Sequence, residues 1–262
     1  MKGITTLGMI GALLLMGSSP GFAADDPALA GLMKSGAQAV LEEVDRRHNT
    51  HEDQTIRVRM TTPERTVANG GAVELTTITL GDKKRAVRVH SPADLKGMGV
   101  VIIGNKEITA LMPGLTRPQR IGGSNKKQSF MGTDWNFDDM ALIRLSRDYD
   151  AAIQGEEGGH LLLTLTRKPE SKFRYDTIQA RLDRSRIMID HLSFLEKGKV
   201  VKVQERSEPK VMPAGHTLYT RVIMRTVASG HWTETVVLDE KINTGVNPKI
   251  FRQKKKWLLK GR

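Results

Sequence analysis

The sequence predicts a mainly β protein: a curved antiparallel sheet of about eleven strands, covered by a long N-terminal helix and a second, shorter one. Three observations carry this. Short runs that alternate apolar and polar residues recur through most of the chain. Gly-, Asn- and Ser-containing turns join many of them tightly, as in antiparallel meanders rather than a parallel α/β sheet. Helical spacing appears in two stretches, and a helix ahead of a long strand series has one economical use, to cover the open face of the sheet.

The chain begins with a positive Met1-Lys2, an apolar run from Ile4 to Met16, and a small-residue exit, Ser18-Ser19-Pro20-Gly21-Phe22-Ala23. That is the layout of a cleavable signal peptide spanning residues 1–23. The run is short for a membrane crossing of about 30 Å, and no Cys follows it for lipid attachment. The expected product is an exported domain, 24–262, in the periplasm.

Ala28 to Arg47 places Leu29, Leu32, Met33, Ala37, Val40, Leu41 and Val44 on one stripe, with Glu42, Glu43, Asp45, Arg46 and Arg47 opposite. Strands follow at Ile56–Met60, Val73–Leu80 and Arg85–His90. Val100–Ile103 and Ile108–Met112 flank Gly104-Asn105-Lys106, a hairpin turn. Further strands are expected at Leu161–Arg167, Ile178–Leu182, Ile187–Leu195, Val200–Arg206, Leu218–Val227 and Trp232–Asp239. The second helix runs from about Asp138 to Arg144, where Asp138 and Asp139 suit its positive N-terminal end.

Leu111 to Met140 breaks the strand pattern. Turn formers, aromatics and both signs of charge crowd there without a period, which core filling alone would not require. Composition narrows the partners. With no Cys, the fold rests on its hydrophobic core, without disulfides. The formal charge of +12 would suggest nucleic acid in a cytosolic protein. Behind a signal peptide the expected anions are instead phospholipid or lipopolysaccharide head groups, or an acidic partner.

Four stretches resemble the LolA-like outer-membrane lipoprotein-sorting proteins. They are Val89 to Gly99; Leu111-Met112-Pro113 with Arg117, Arg120 and Ile121; Ser129-Phe130-Met131-Gly132-Thr133-Asp134, followed by Asp138-Asp139-Met140; and Phe251 with Leu258. The Phe-Met-Gly-Thr-Asp core is the most specific. Trp135 and Phe137 stand where the family often has Phe and Tyr, and the tail is unusually basic. The resemblance implies an incomplete β-barrel wrapped over helices, an apolar cavity between them, and helices that act as a lid. It implies a carrier of lipid or lipoprotein acyl chains, with an inner-membrane transporter or an outer-membrane acceptor as partner. It implies no cofactor.

On that reading, the lid and cavity candidates are Leu29, Leu32, Met33, Val40, Met98, Met131, Trp135, Phe137 and Met140; Met side chains suit a deformable lining. Trp135 and Phe137 have an equally simple role in pinning the second helix. Arg117, Arg120, Lys126 and Lys127 are candidates for a lipid phosphate or a partner's acidic face, and Asp134 for fixing the loop by pairing with Arg117 or Arg120. Lys254, Lys255, Lys256 and Trp257 are candidates for an anionic membrane surface; the alternative is a final strand with a frayed end.

Nothing in the sequence makes a catalytic constellation. His48 and His51 stand beside Glu52 and Asp53, but the remaining His residues show no paired spacing for a metal. Gly122 to Lys127 lacks the ending of a phosphate loop, and no nucleophile elbow occurs. The expectation is therefore a binding protein without metal or cofactor. A lipid-free adaptor of an envelope-assembly or export system is the alternative.

Overall fold

Thirteen strands hydrogen-bond side by side, every neighbouring pair antiparallel. The structure is a computed structural model that describes residues 23–260 apart from Thr50 and Asn105. Residues 1–22, which carry nearly all of the expected signal peptide, lie outside the described residues. Among the described residues, no helix is long and apolar enough to cross a membrane.

The strands are β1 (Asp53–Thr61), β2 (Val73–Leu80), β3 (Lys84–Ser91), β4 (Gly99–Ile103), β5 (Glu107–Leu111), β6 (Gln119–Ile121), β7 (Tyr149–Glu157), β8 (His160–Arg167), β9 (Thr177–Asp183), β10 (Met188–Glu196), β11 (Lys199–Val211), β12 (Thr217–Thr226) and β13 (Trp232–Ile242). Their spatial order is β6-β5-β4-β3-β2-β1-β13-β12-β11-β10-β9-β8-β7. The first and last strands in sequence therefore meet mid-sheet, with Val58 opposite Val237. The edges are β6 and β7, which are consecutive in sequence but unpaired with each other. The result is a curved sheet that does not close.

The expected eleven strands are all present, and two were not foreseen. β6 is three residues long in an Arg- and Pro-containing stretch. β7 reads Tyr-Asp-Ala-Ala-Ile-Gln-Gly-Glu-Glu, poor in β-formers. Both are set by pairing with their neighbours, β5 and β8.

The expected long N-terminal helix is broken. α1 (Leu29–Ser35) and α2 (Ala37–His48) meet at Gly36, whose φ of 106° only glycine adopts without strain. The short helix begins one residue early and stops sooner, as α3 (Phe137–Ala141), and a separate turn, α4 (Leu145–Asp148), follows. A 3-10 turn covers Gly123–Lys127. The tail is helical rather than a final strand, as α5 (Lys249–Arg252) and α6 (Lys254–Leu259).

Three apolar cores result. In the first, Leu29, Val40 and Leu41 of α1 and α2 pack on β7–β10, with Tyr149 and Tyr175 fully buried. In the second, Phe130, Phe137 and Met140 pack on the inner faces of β1–β5. In the third, Phe251 and Leu258 of α5 and α6 cover the opposite face of β3–β5, against Ala86, Val101 and Leu111. Strand β4 is thus buried on both faces, which is why it reads as the unbroken run Val100 to Ile103.

Candidate ligand-binding site

The chain that crosses from edge β6 to edge β7 holds the site together, and its order comes from one carboxylate. Asp134 accepts hydrogen bonds from Thr226 Oγ1 (2.5 Å) and Thr233 Oγ1 (2.7 Å), and pairs with His231 Nδ1 at 2.7 Å. Its own amide donates to Thr233 Oγ1. Asp134 does fix the loop, but through β12 and β13 rather than through Arg117 or Arg120. Met131 and Gly132 turn at positive φ just before it. Just after it, Asn136 and Asp139 form a reciprocal capping box at the start of α3. Asp139 also meets Lys202 Nζ at 2.6 Å and Tyr175 Oη at 2.5 Å. This buried network fastens the crossing segment to β11 and to the first core.

Trp135 and Leu142, on the same segment, pack against both the first and the second core. Between those cores lies a cavity of about 250 Å³. Val44, Leu142 and Leu145 form its helical side; Val58, Leu192 and Met224 belong to its sheet side. For scale, an apolar hole of about 150 Å³ is enough to hold benzene.

The polar groups of this wall are unusual. His48, the last residue of α2, lines the mouth-side wall of the cavity and is exposed. Desolvation by the surrounding protein, with Arg206 and Arg85 within electrostatic reach, lowers its pKa below the ordinary histidine value, which keeps the ring neutral at neutral pH. Arg85 and Arg206 are half-buried on the same wall, and desolvation lowers each to about 10. Both remain cations at neutral pH. Arg85 donates to Met140 O at 2.7 Å while its Nε has no partner. Arg206 donates to Gln204 Oε1 at 2.7 Å. Among the described residues, neither makes an ion pair.

The acids nearby are already engaged. Asp45 accepts the amides of Leu145 (3.1 Å) and Ser146 (2.7 Å), and Arg144 stands near it. Burial still holds the Asp45 carboxyl above its ordinary value. Asp139 is paired with Lys202.

The residues singled out from the sequence fall in several places. Trp135 lines the cavity. Leu29 and Val40 lie in the first core, with Leu32 and Met33 packed on it; Met98, Phe137 and Met140 lie in the second, with Met131 beside them. The methionines at the cavity itself are Met188 of β10 and Met224 of β12. Arg117 and Arg120 are exposed. Lys126 and Lys127 line a separate, polar surface hollow with Arg167, Arg174 and Glu196, and Lys127 lies 3.9 Å from Glu196. In the tail, Lys254 pairs with Glu107, whereas Lys255 and Lys256 are exposed. Trp257 is half-buried, with the Arg88 guanidinium 4.0 Å from its ring centre. Among the described residues no cluster of His, Asp and Glu could hold a metal ion; His51 stands beside His216 instead, ring centres 5.9 Å apart.

Sequence reasoning did not single out Arg85 or Arg206, and it weighed His48 only as a metal ligand beside His51. The one signal available was parity: Arg85 shares a strand face with the buried Val87 and Val89, and Arg206 with the buried Gln204 and Lys202.

A family model described as "-like: Uncharacterized protein" matches residues 81–255. No curated protein matches the sequence. Among solved structures, a DUF1329 family protein from Desulfovibrio piger is similar, with a TM-score of 0.74 and 20% identity, covering 86% of this chain and 97% of that one. A putative outer membrane lipoprotein-sorting protein domain from Vibrio parahaemolyticus has a TM-score of 0.70 and 16% identity, covering 85% and 98%. A LolA superfamily protein from Nitrosomonas europaea has a TM-score of 0.66 and 20% identity, covering 82% and 96%. The fold is therefore LolA-like.

Proposed function

The chain belongs to the uncharacterised-protein family whose model spans residues 81–255, and from that premise and the cavity we propose that it is a periplasmic carrier of lipid or lipoprotein acyl chains. The observation that carries the reading is the partly apolar space of about 250 Å³ between the helices and the unclosed sheet. Moving an acyl chain into water costs about 0.8 kcal/mol per CH₂. A cavity lined by Val58, Leu142, Leu192 and Met224 offsets that cost during transfer between membranes. As it stands the space suits one short chain, so larger cargo requires α1–α4 to move away from the sheet. The signal-peptide pattern of residues 1–23 and the sorting role printed for the Vibrio relative agree with this. The role is binding and hand-over, not catalysis; a transporter in the inner membrane or an acceptor in the outer one is the expected partner.

The test is native mass spectrometry of the mature protein purified from periplasm, with lipid extraction of the same sample. The expected result is a stoichiometric co-purifying lipid or acylated peptide, or uptake when lipid is offered. A clean apo mass with no uptake would sink the carrier reading in favour of a lipid-free adaptor.

A further inference from the structure

The cavity holds more than apolar wall. Arg85 and Arg206 approach it from opposite halves of the sheet, on β3 and β11. A guanidinium has five N–H donors, and each of these two makes one hydrogen bond among the described residues. The Nε of Arg85 has no acceptor among the described residues. Charges drawn part-way into a protein are ordinarily paired, and here, among the described residues, the nearby carboxylates are otherwise committed. Asp45 is held by two backbone amides and flanked by Arg144; Asp190, also within electrostatic reach of Arg206, pairs with His160 and Arg181; Asp139 is bound to Lys202 and Tyr175. Arg47, also on the wall, is paired with Glu43 and Asp26. Arg85 and Arg206 thus line the cavity as two cationic donors, each within electrostatic reach of the His48 ring. A cavity meant only for hydrocarbon has no use for them.

We propose that the cavity binds a single-chain amphiphile with an acidic head, a carboxylate or phosphate, whose oxygens Arg85 and Arg206 hold while the alkyl tail lies along Val58, Leu192 and Met224. This rests on the carrier reading and narrows its cargo. Oxyanions suit the site because guanidinium binds them in a planar, two-pronged geometry. His48 adds a neutral ring nitrogen that can donate to the head without adding charge. In this arrangement the ligand supplies the counter-charge, so the empty and filled forms differ in electrostatics as well as in packing.

The test compares dodecanoate, dodecyl phosphate and dodecanol, three probes with the same chain, by titration calorimetry of the whole mature protein. At least one anion is expected to bind about tenfold or more tightly than the alcohol, and the tighter anion identifies the head. Arg206→Gln is expected to bring that anion down to the alcohol's affinity while leaving the alcohol unchanged. Inorganic phosphate at the same concentration is expected not to displace the bound amphiphile. Equal affinity for all three probes would overturn the acidic-head site and leave the carrier reading standing; no binding of any would remove both. The comparison among probes uses the unaltered protein, so it stands even where Arg206→Gln does not fold. An anion preference that survives in folded Arg206→Gln and Arg85→Gln would also overturn the assignment.

Discussion

At the scale of single residues, buried carboxylates carry the joints of this protein. Asp45 faces the cavity but spends its oxygens on the amides of Leu145 and Ser146, tying α2 to α4 across 100 residues of chain. Removing it strands two amides in a site with little water. Asp45→Ala is therefore expected to cost about 1–3 kcal/mol, and Asp45→Asn, which keeps one acceptor, less. Urea unfolding of the three proteins measures this; an unchanged midpoint for the alanine variant would show the joint to be dispensable. Asp134 works with a titratable partner. Burial opposes the charge on His231, but its hydrogen bonds to Glu64 and Asp134 prevail and raise its pKa. A raised folded value means that the contribution is complete below the ordinary value of about 6.5. It is lost as pH rises through the folded value. The Tm difference between the wild type and His231→Gln is thus expected to be largest in mild acid and to shrink above neutrality. A difference that grows with pH would contradict the pairing.

At the scale of elements, the third core makes a sharper prediction. Gly99 of β4 leaves no room for a side chain. A Cβ there would stand 2.7 Å from Val87 O and 3.0 Å from Leu258 Cδ2. Arg88 holds the same helix from the side, donating to the carbonyls of Leu258 (2.9 Å) and Trp257 (2.5 Å) in its last turn. Gly99→Ala is expected to lift α6 and cost roughly 1–3 kcal/mol. The readout is a lower Tm with faster tryptic cleavage at Lys255 and Lys256; unchanged cleavage would mean that the sheet absorbs the methyl instead. This packing was not legible in the sequence, although Phe251 and Leu258 stood out there. Lys-Lys-Lys-Trp-Leu-Leu is too short to declare a helix, and what makes it one is the outer face of β3–β5. The strands that alternate or run apolar were legible, β2 to its end residues, because each writes its burial into its own spacing. The break at Gly36 was not, since the apolar stripe continues in phase across it. β7 was hidden by its acidic, glycine-containing sequence, and only pairing with β8 makes it a strand.

At the scale of the whole molecule, the cavity exists because two cores were built instead of one. α1 and α2 cover β7–β10, α3 and its loop cover β1–β5, and Trp135 with Leu142 bridges them. The inner charges Arg85 and Arg206 read in sequence as the polar positions of half-buried strands. Only the register of thirteen strands shows that the same parity turns them toward the space between the cores. A space of this kind makes stability depend on what fills it. A ligand that binds only the folded state adds about 2.7 kcal/mol at a hundred times its Kd. For a chain of this size that corresponds to a rise in Tm of roughly 5–10 °C. Val222 lies on the cavity wall directly across from Arg206 on the neighbouring strand. Val222→Phe places a ring into open volume rather than into a packed core, so its ligand-free Tm is expected to hold or rise slightly. What it is expected to lose is the rise on adding dodecanoate, and the two scans together separate a blocked cavity from a damaged fold. If the variant kept the full ligand-induced rise, the amphiphile would be binding elsewhere on the molecule, and the cavity would have to be regarded as a packing gap between two cores.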